Sequence, residues 1–177
     1  HLATFARTRE SDFDFTLNTG GAPRYVELTE IAPLQQFGDT YARVPGSYRR
    51  GAAADLVVAA IRLKASKYAP STRSQVHLLT YVTDWLLTVD EGVLRLVAHD
   101  LRKEPIGFAS VLYFIPGSPT EGSLTLLSPT PEENLDDATL QALRTAVVLR
   151  PDLTTGEVSA DGKSIEFKVG WPPLGGA

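Results

Sequence analysis

The sequence predicts an α/β fold in which a mixed central sheet is flanked by helices and followed by a C-terminal helix and hairpin. Three observations point there. Asp12–Leu17 and Arg24–Ile31 each alternate polar and apolar residues, and Gly20-Gly21 lies between them. That is the pattern of two half-buried strands joined by a tight turn. Two later runs, Gln75–Thr83 and Phe108–Ile115, are apolar enough to be strands buried on both faces. Helical periods fall between these strands, so the connections are crossovers and the sheet is expected to be covered on both faces.

The elements follow in order. Leu2–Glu10 reads as the end of a helix, with Leu2, Phe5 and Ala6 on one side. In the hairpin, a turn centred on Gly20-Gly21 opposes Asp14 to Glu27 and Asp12 to Thr29, all on one face. Ala32–Ser47 is a polar loop. Tyr48–Tyr68 is the main helix, closed by Pro70. Its apolar stripes run Val57, Ile61, Lys64, Tyr68 and Leu56, Ala60, Leu63, Lys67. Lone His77 inside the first apolar strand reads as a packed residue. Asp90 caps a helix over Glu91–Lys103, and Leu124–Leu127 is a short edge strand. Thr130 with Pro131 and Glu133 opens a helix that runs to Leu149. Glu157–Phe167 reads as a hairpin around Asp161-Gly162.

Composition bounds the class. A chain of 177 residues makes one domain with a small appendage, divided here as a core at 1–127 and a helix-plus-hairpin appendage at 128–177 packed on it. There is no apolar run long enough to span a membrane, so no membrane partner is expected. Cysteine is absent, which excludes a disulfide frame or a thiolate zinc site and fits the cytoplasm. Methionine is absent too and the chain opens on His1, so a truncated N-terminus is expected. There is no phosphate-binding loop, dinucleotide fingerprint or nucleophile elbow.

Charge is unevenly spread. Residues 43–73 carry seven basic side chains (Arg43, Arg49, Arg50, Arg62, Lys64, Lys67, Arg73) against Asp55 alone, whereas the whole chain is at −4. Carboxylates on the hairpin followed by a basic helix would suit a phosphodiester: acids for a metal, cations for phosphate. The plain alternative is a solvated helix face. Like charges directly opposed on a sheet need solvent, a raised pKa or a cation. A hard divalent ion takes one or two carboxylates plus water and substrate oxygens.

At Asp12-Phe13, the glycine turn and Tyr25-Val-Glu27-Leu-Thr29, the chain resembles the PD-(D/E)XK nuclease superfamily. The resemblance implies a restriction-endonuclease-like core, Mg²⁺ or Mn²⁺ as cofactor, and DNA as substrate. It implies Asp14, Asp12 and Glu27 as metal ligands. The chain departs from the pattern at Ser11, where proline is usual, and at Thr29, where the catalytic lysine is usual. Lys64 on the following helix then becomes the expected catalytic lysine. Lys67, Arg49, Arg50 and Tyr68 are the expected substrate-binding residues. The alternative function is an inactive nuclease-like scaffold, which binds nucleic acid or docks a protein on the acidic second half.

Overall fold

The structure, a computed structural model, describes residues 4–7, 13–18, 24–31, 47–82, 87–116, 121–130, 135–149, 156–158 and 165–167. Its elements are β1 (Thr4–Arg7), β2 (Phe15–Asn18), β3 (Arg24–Glu30), β4 (Ser47–Arg49), α1 (Arg50–Ala65), α2 (Pro70–Arg73), β5 (Val76–Tyr81), α3 (Glu91–Lys103), β6 (Ser110–Pro116), β7 (Gly122–Ser128), α4 (Asp137–Thr145), β8 (Val147–Leu149), β9 (Gly156–Val158) and β10 (Ile165–Phe167). Six strands form one mixed sheet in the order β1-β2-β3-β5-β6-β7. The pairs β3–β5 and β5–β6 are parallel, and the other three pairs are antiparallel. Each parallel step has a helix in its connection, as parallel pairing requires. None of the described helices is long and apolar enough to cross a membrane.

The β2–β3 register is the one expected for a turn at Gly20-Gly21, which itself lies outside the described residues. Phe15 pairs with Val26, Thr16 with Tyr25 and Leu17 with Arg24, so extending the ladder by one residue sets Asp14 opposite Glu27. Tyr25, Glu27 and Thr29 then share a face with Val76, Leu78 and Thr80 of β5 and with Val111 and Tyr113 of β6. This is the core face. Val57 and Ile61 of α1 and Val93, Leu96, Val97 and Leu101 of α3 are buried in the same core.

Five expectations are corrected. Residues 4–7 of the expected N-terminal helix form β1, which pairs with β2; a four-residue edge strand is too short to show a period. The main helix starts at Arg50, because Tyr48 belongs to β4 and pairs with Val148 of β8. The last helix is also shorter: Asp136 caps it through Thr139 N at 2.7 Å, and it stops before Val147-Val-Leu149, whose valines favour a strand. Leu63 is 64% exposed, so the second stripe of α1 leaves the core there, although Leu56 and Ala60 pack against it.

The fifth correction concerns layers. α1, α3 and α4 contact one another, α1 contacts β3 and α3 contacts β7, so these helices lie on one face. Among the described residues these three helices leave the opposite face to Val26, Leu28, His77, Leu79, Tyr81, Leu112 and Phe114, all half-buried. The strand order explains it. Both crossovers step the same way across the sheet, β3 to β5 to β6, and connections of one hand then put both helices on one side. The sequence carries no direct sign of that order.

The C-terminal helix is tied to the others by charge. Arg144 donates to Asp100 at 2.6 Å and to Asp55 at 3.2 Å, which joins α4 to α3 and α1. Gly51 permits the close approach, since a Cβ there would meet the Arg144 carbonyl oxygen at 3.0 Å. β9 and β10 pair antiparallel, with Ile165 opposite Val158; their expected turn at Asp161-Gly162 lies outside the described residues.

Candidate active site

β3 and α1 run in opposite directions, as a strand and its crossover helix do. The last turn of α1 therefore lies beside the first residues of β3, and Lys64 meets Glu27. Lys64 Nζ is 2.6 Å from Glu27 Oε1. Its stem continues the buried line of Val57 and Ile61, and its ammonium emerges at the carboxylate. Three residues past the helix end, the Tyr68 hydroxyl donates to the same Oε1 at 2.7 Å. The other oxygen, Oε2, accepts from Asp14 N at 3.2 Å. Asp14 is held in turn by Leu28 N, which donates to Oδ2 at 2.8 Å.

The electrostatics follow from this set of donors. The Glu27 side chain is 8% exposed and that of Lys64 is 18% exposed. Burial pushes the Glu27 carboxyl up, but the hydrogen bonds from Lys64, Tyr68 and Asp14 N, with the Lys64 charge, hold it below its ordinary value. Glu27 is therefore ionised at neutral pH. The Tyr68 hydroxyl moves far up, by burial first and by its bond to Glu27 second, so it stays a donor and is not an acid. Four rings wall the cluster. Phe13 stacks on Tyr25 at 4.4 Å and on Tyr68 at 5.9 Å, and Tyr68 meets Phe108 edge-on at 6.4 Å.

The structure thus brings together Asp14, Glu27, Lys64 and Tyr68. Tyr68 is committed to Glu27 rather than open to a substrate. Lys67 is exposed in the turn after α1. Arg49 and Arg50 are not brought to the cluster. They sit at the start of α1, and at 1.5 Å per residue Arg50 is roughly 21 Å along the helix from Lys64. Arg50 is instead paired with Asp90 at 2.8 Å. His77 contacts Ser110 Oγ through Nδ1 at 2.7 Å on the half-buried face, away from the carboxylates. Asp12 lies outside the described residues. Phe13 and Phe108 are additions to the expected set. The only sequence signal for Phe13 was its place beside Asp14.

Asp14 and Glu27 are the two carboxylates here that could hold a cation, and both Glu27 oxygens already accept hydrogen bonds. Among the described residues no group of three histidines or carboxylates gathers, which leaves the pair Asp14 and Glu27. One or two carboxylates, with water and substrate oxygens, are what Mg²⁺ takes. Thr29 shares the Glu27 face, and its Oγ1 is buried with no hydrogen-bond partner. Comparison with known families, curated proteins and solved structures gave no match.

Proposed function

We propose that this chain is a metal-dependent phosphodiesterase of the nuclease type, acting on DNA, with a core like that of the PD-(D/E)XK superfamily. One observation carries the reading: Lys64 supplies, from α1, an ammonium at the carboxylate that stands where the family pattern has its glutamate, although Thr29 fills the strand position of the usual lysine. The order hairpin, helix, parallel strand supports it as well. A cytoplasmic setting goes with this reading.

Asp14 and Glu27 would hold Mg²⁺ or Mn²⁺. The cation, when bound, supplies Lewis-acid stabilisation of phosphate charge and a more acidic water. Lys64 keeps Glu27 ionised and places positive charge where charge develops on the phosphate. Tyr68 fixes the Glu27 carboxylate through Oε1, leaving Oε2 on the side of Asp14. The aromatic rings shield the Glu27 end of the cluster and strengthen its interactions, while Asp14 stays open to solvent.

A second reading has its own support. The Glu27 carboxylate already accepts from Lys64, Tyr68 and Asp14, so the cluster is also satisfied without a cation, as a non-cutting scaffold would require. Plasmid nicking in Mn²⁺ separates the two. The nuclease reading expects relaxed circles from the wild type and none from Glu27→Ala; intact plasmid with both proteins overturns it.

A further inference from the structure

α1 ends, α2 lies and the parallel strands β3, β5 and β6 begin at one end of the sheet. Backbone bonds tie these leads together: Tyr25 N donates to the Gln75 carbonyl at 3.4 Å, and Ala109 N to the Arg73 carbonyl at 3.3 Å. The cations of this end fall into two kinds. Lys64 is matched to Glu27 and Arg62 to Glu104, as Arg50 is to Asp90 and Arg144 to Asp100 elsewhere. Among the described residues Arg24, Lys67 and Arg73 form no ion pair. Arg24 opens β3 and is exposed, and Lys67 is exposed in the turn after α1. Arg73 ends α2 half-buried, and its Nε is buried with no hydrogen-bond partner. Burial, and then the charge of Arg24, holds His77 on the adjacent strand below its ordinary value, so the positive field reaches β5.

We propose that Arg24, Lys67 and Arg73 form the track that grips the backbone of the DNA strand leading to Asp14 and Glu27. The identity of this polyanion rests on the phosphodiesterase reading above. Charge selects it. The chain carries a net −4, so most of its surface repels a polyanion, and binding needs a local group of unmatched cations. These three give up no carboxylate when a phosphate arrives, whereas Arg50 and Arg144 would each break an ion pair.

Spacing fits as well. Arg24 precedes Glu27 by three residues, roughly 10 Å along an extended strand, and the phosphates of one DNA strand advance about 3.4 Å per nucleotide along the axis. The track therefore starts about three nucleotides from the carboxylates. Arg24 leaves by the face opposite to Glu27, so the track crosses the end of the sheet rather than lying on its core face. Arg73 brings the planar fork that matches two phosphate oxygens. An N–H left unpartnered inside a protein is costly, and a phosphate oxygen is an acceptor of the kind its Nε lacks.

Binding of a short fluorescent DNA duplex in EDTA tests this apart from cutting, because metal-driven hydrolysis is then silent. Fluorescence anisotropy over a salt series should show wild-type binding that weakens steadily as salt rises. Arg24→Gln, Lys67→Gln and Arg73→Gln should each lower affinity ~3- to 10-fold and make the slope of log affinity against log salt shallower by about 0.9. Arg49→Gln, exposed at the opposite end of α1, should bind like wild type. Each variant should keep the wild-type melting temperature. No binding by wild type at low salt, a loss in Arg49→Gln equal to the others, or unchanged affinity in the three edge variants overturns the track. The expected binding pattern without nicking in Mn²⁺ keeps the track and removes the nuclease reading. Nicking with unchanged affinity in the three variants does the reverse.

Discussion

Lys64 reaches from the last turn of α1 to Glu27 in β3, with Nζ 2.6 Å from Oε1. The two come from elements of opposite character, one basic and one acidic, and the contact neutralises a carboxylate that is almost fully buried. Removing one partner should therefore cost more than removing both. Breaking a buried pair costs about 3–5 kcal/mol, and the partial exposure of Lys64 trims this to about 2–4 kcal/mol for Lys64→Met at neutral pH. Adding Glu27→Gln to Lys64→Met should recover part of the loss. Urea midpoints of the single and double variants check it. A double variant less stable than Lys64→Met contradicts the ion-pair account.

The same contact fixes a pH dependence. The Glu27 carboxyl is held below the ordinary value of 4.5, so the folded state prefers it ionised more than the unfolded state does. Its contribution is fully present above that value and is lost as pH falls through the lower folded value. The stability gap between wild type and Glu27→Gln should thus be constant from neutral pH down to the ordinary carboxyl range and shrink below it. Denaturation midpoints across that range measure the gap; a gap that widens in acid contradicts the assignment.

Asp90 caps α3 through Val93 N at 2.9 Å and pairs with Arg50 at 2.8 Å. Asp90→Ala should cost about 1–2 kcal/mol through the lost cap alone. Asp90→Asn keeps an N-cap acceptor and should cost less. Arg50 is structural on this account, so a phosphate-binding role predicts the reverse: Arg50→Ala weakening DNA binding while leaving the thermal midpoint unchanged.

Much of this was legible in the sequence for identifiable reasons. Centring the hairpin on Gly20-Gly21 and applying a period of two set Asp14 against Glu27, and the β2–β3 register agrees. The line Val57, Ile61, Lys64 gave the direction of the lysine, because long side chains on one helix stripe leave on one side. What stayed hidden had no local signal. Four residues of β1 cannot show a period. The placement of α1 and α3 on one face depends on strand order, which only tertiary pairing decides. The chain-distant pairs Arg50–Asp90 and Arg144–Asp100 removed two arginines from any general basic surface, and nothing in the charge count could say which. The Phe13 stack forms where the chain bends at Asp14, just before β2 begins.

Metal binding should show as stability. A cation held only by the folded state stabilises it by about 2.7 kcal/mol at a hundred times its dissociation constant, and so raises the melting temperature. Mn²⁺ should therefore shift the wild-type midpoint upward. Glu27→Ala should abolish the shift and Asp14→Ala should reduce it. An equal shift in all three proteins places the ion elsewhere.

The most direct measurement is the rate at which supercoiled plasmid is nicked in Mn²⁺ by wild type and by Lys64→Ala, each first shown to be folded. Hydrolysis by the Asp14–Glu27–Lys64 cluster predicts nicking by the wild type and a rate at least about 100-fold lower without the ammonium, the usual cost of losing a charge-stabilising donor. Nicking by Lys64→Ala at the wild-type rate would contradict the role given to this lysine.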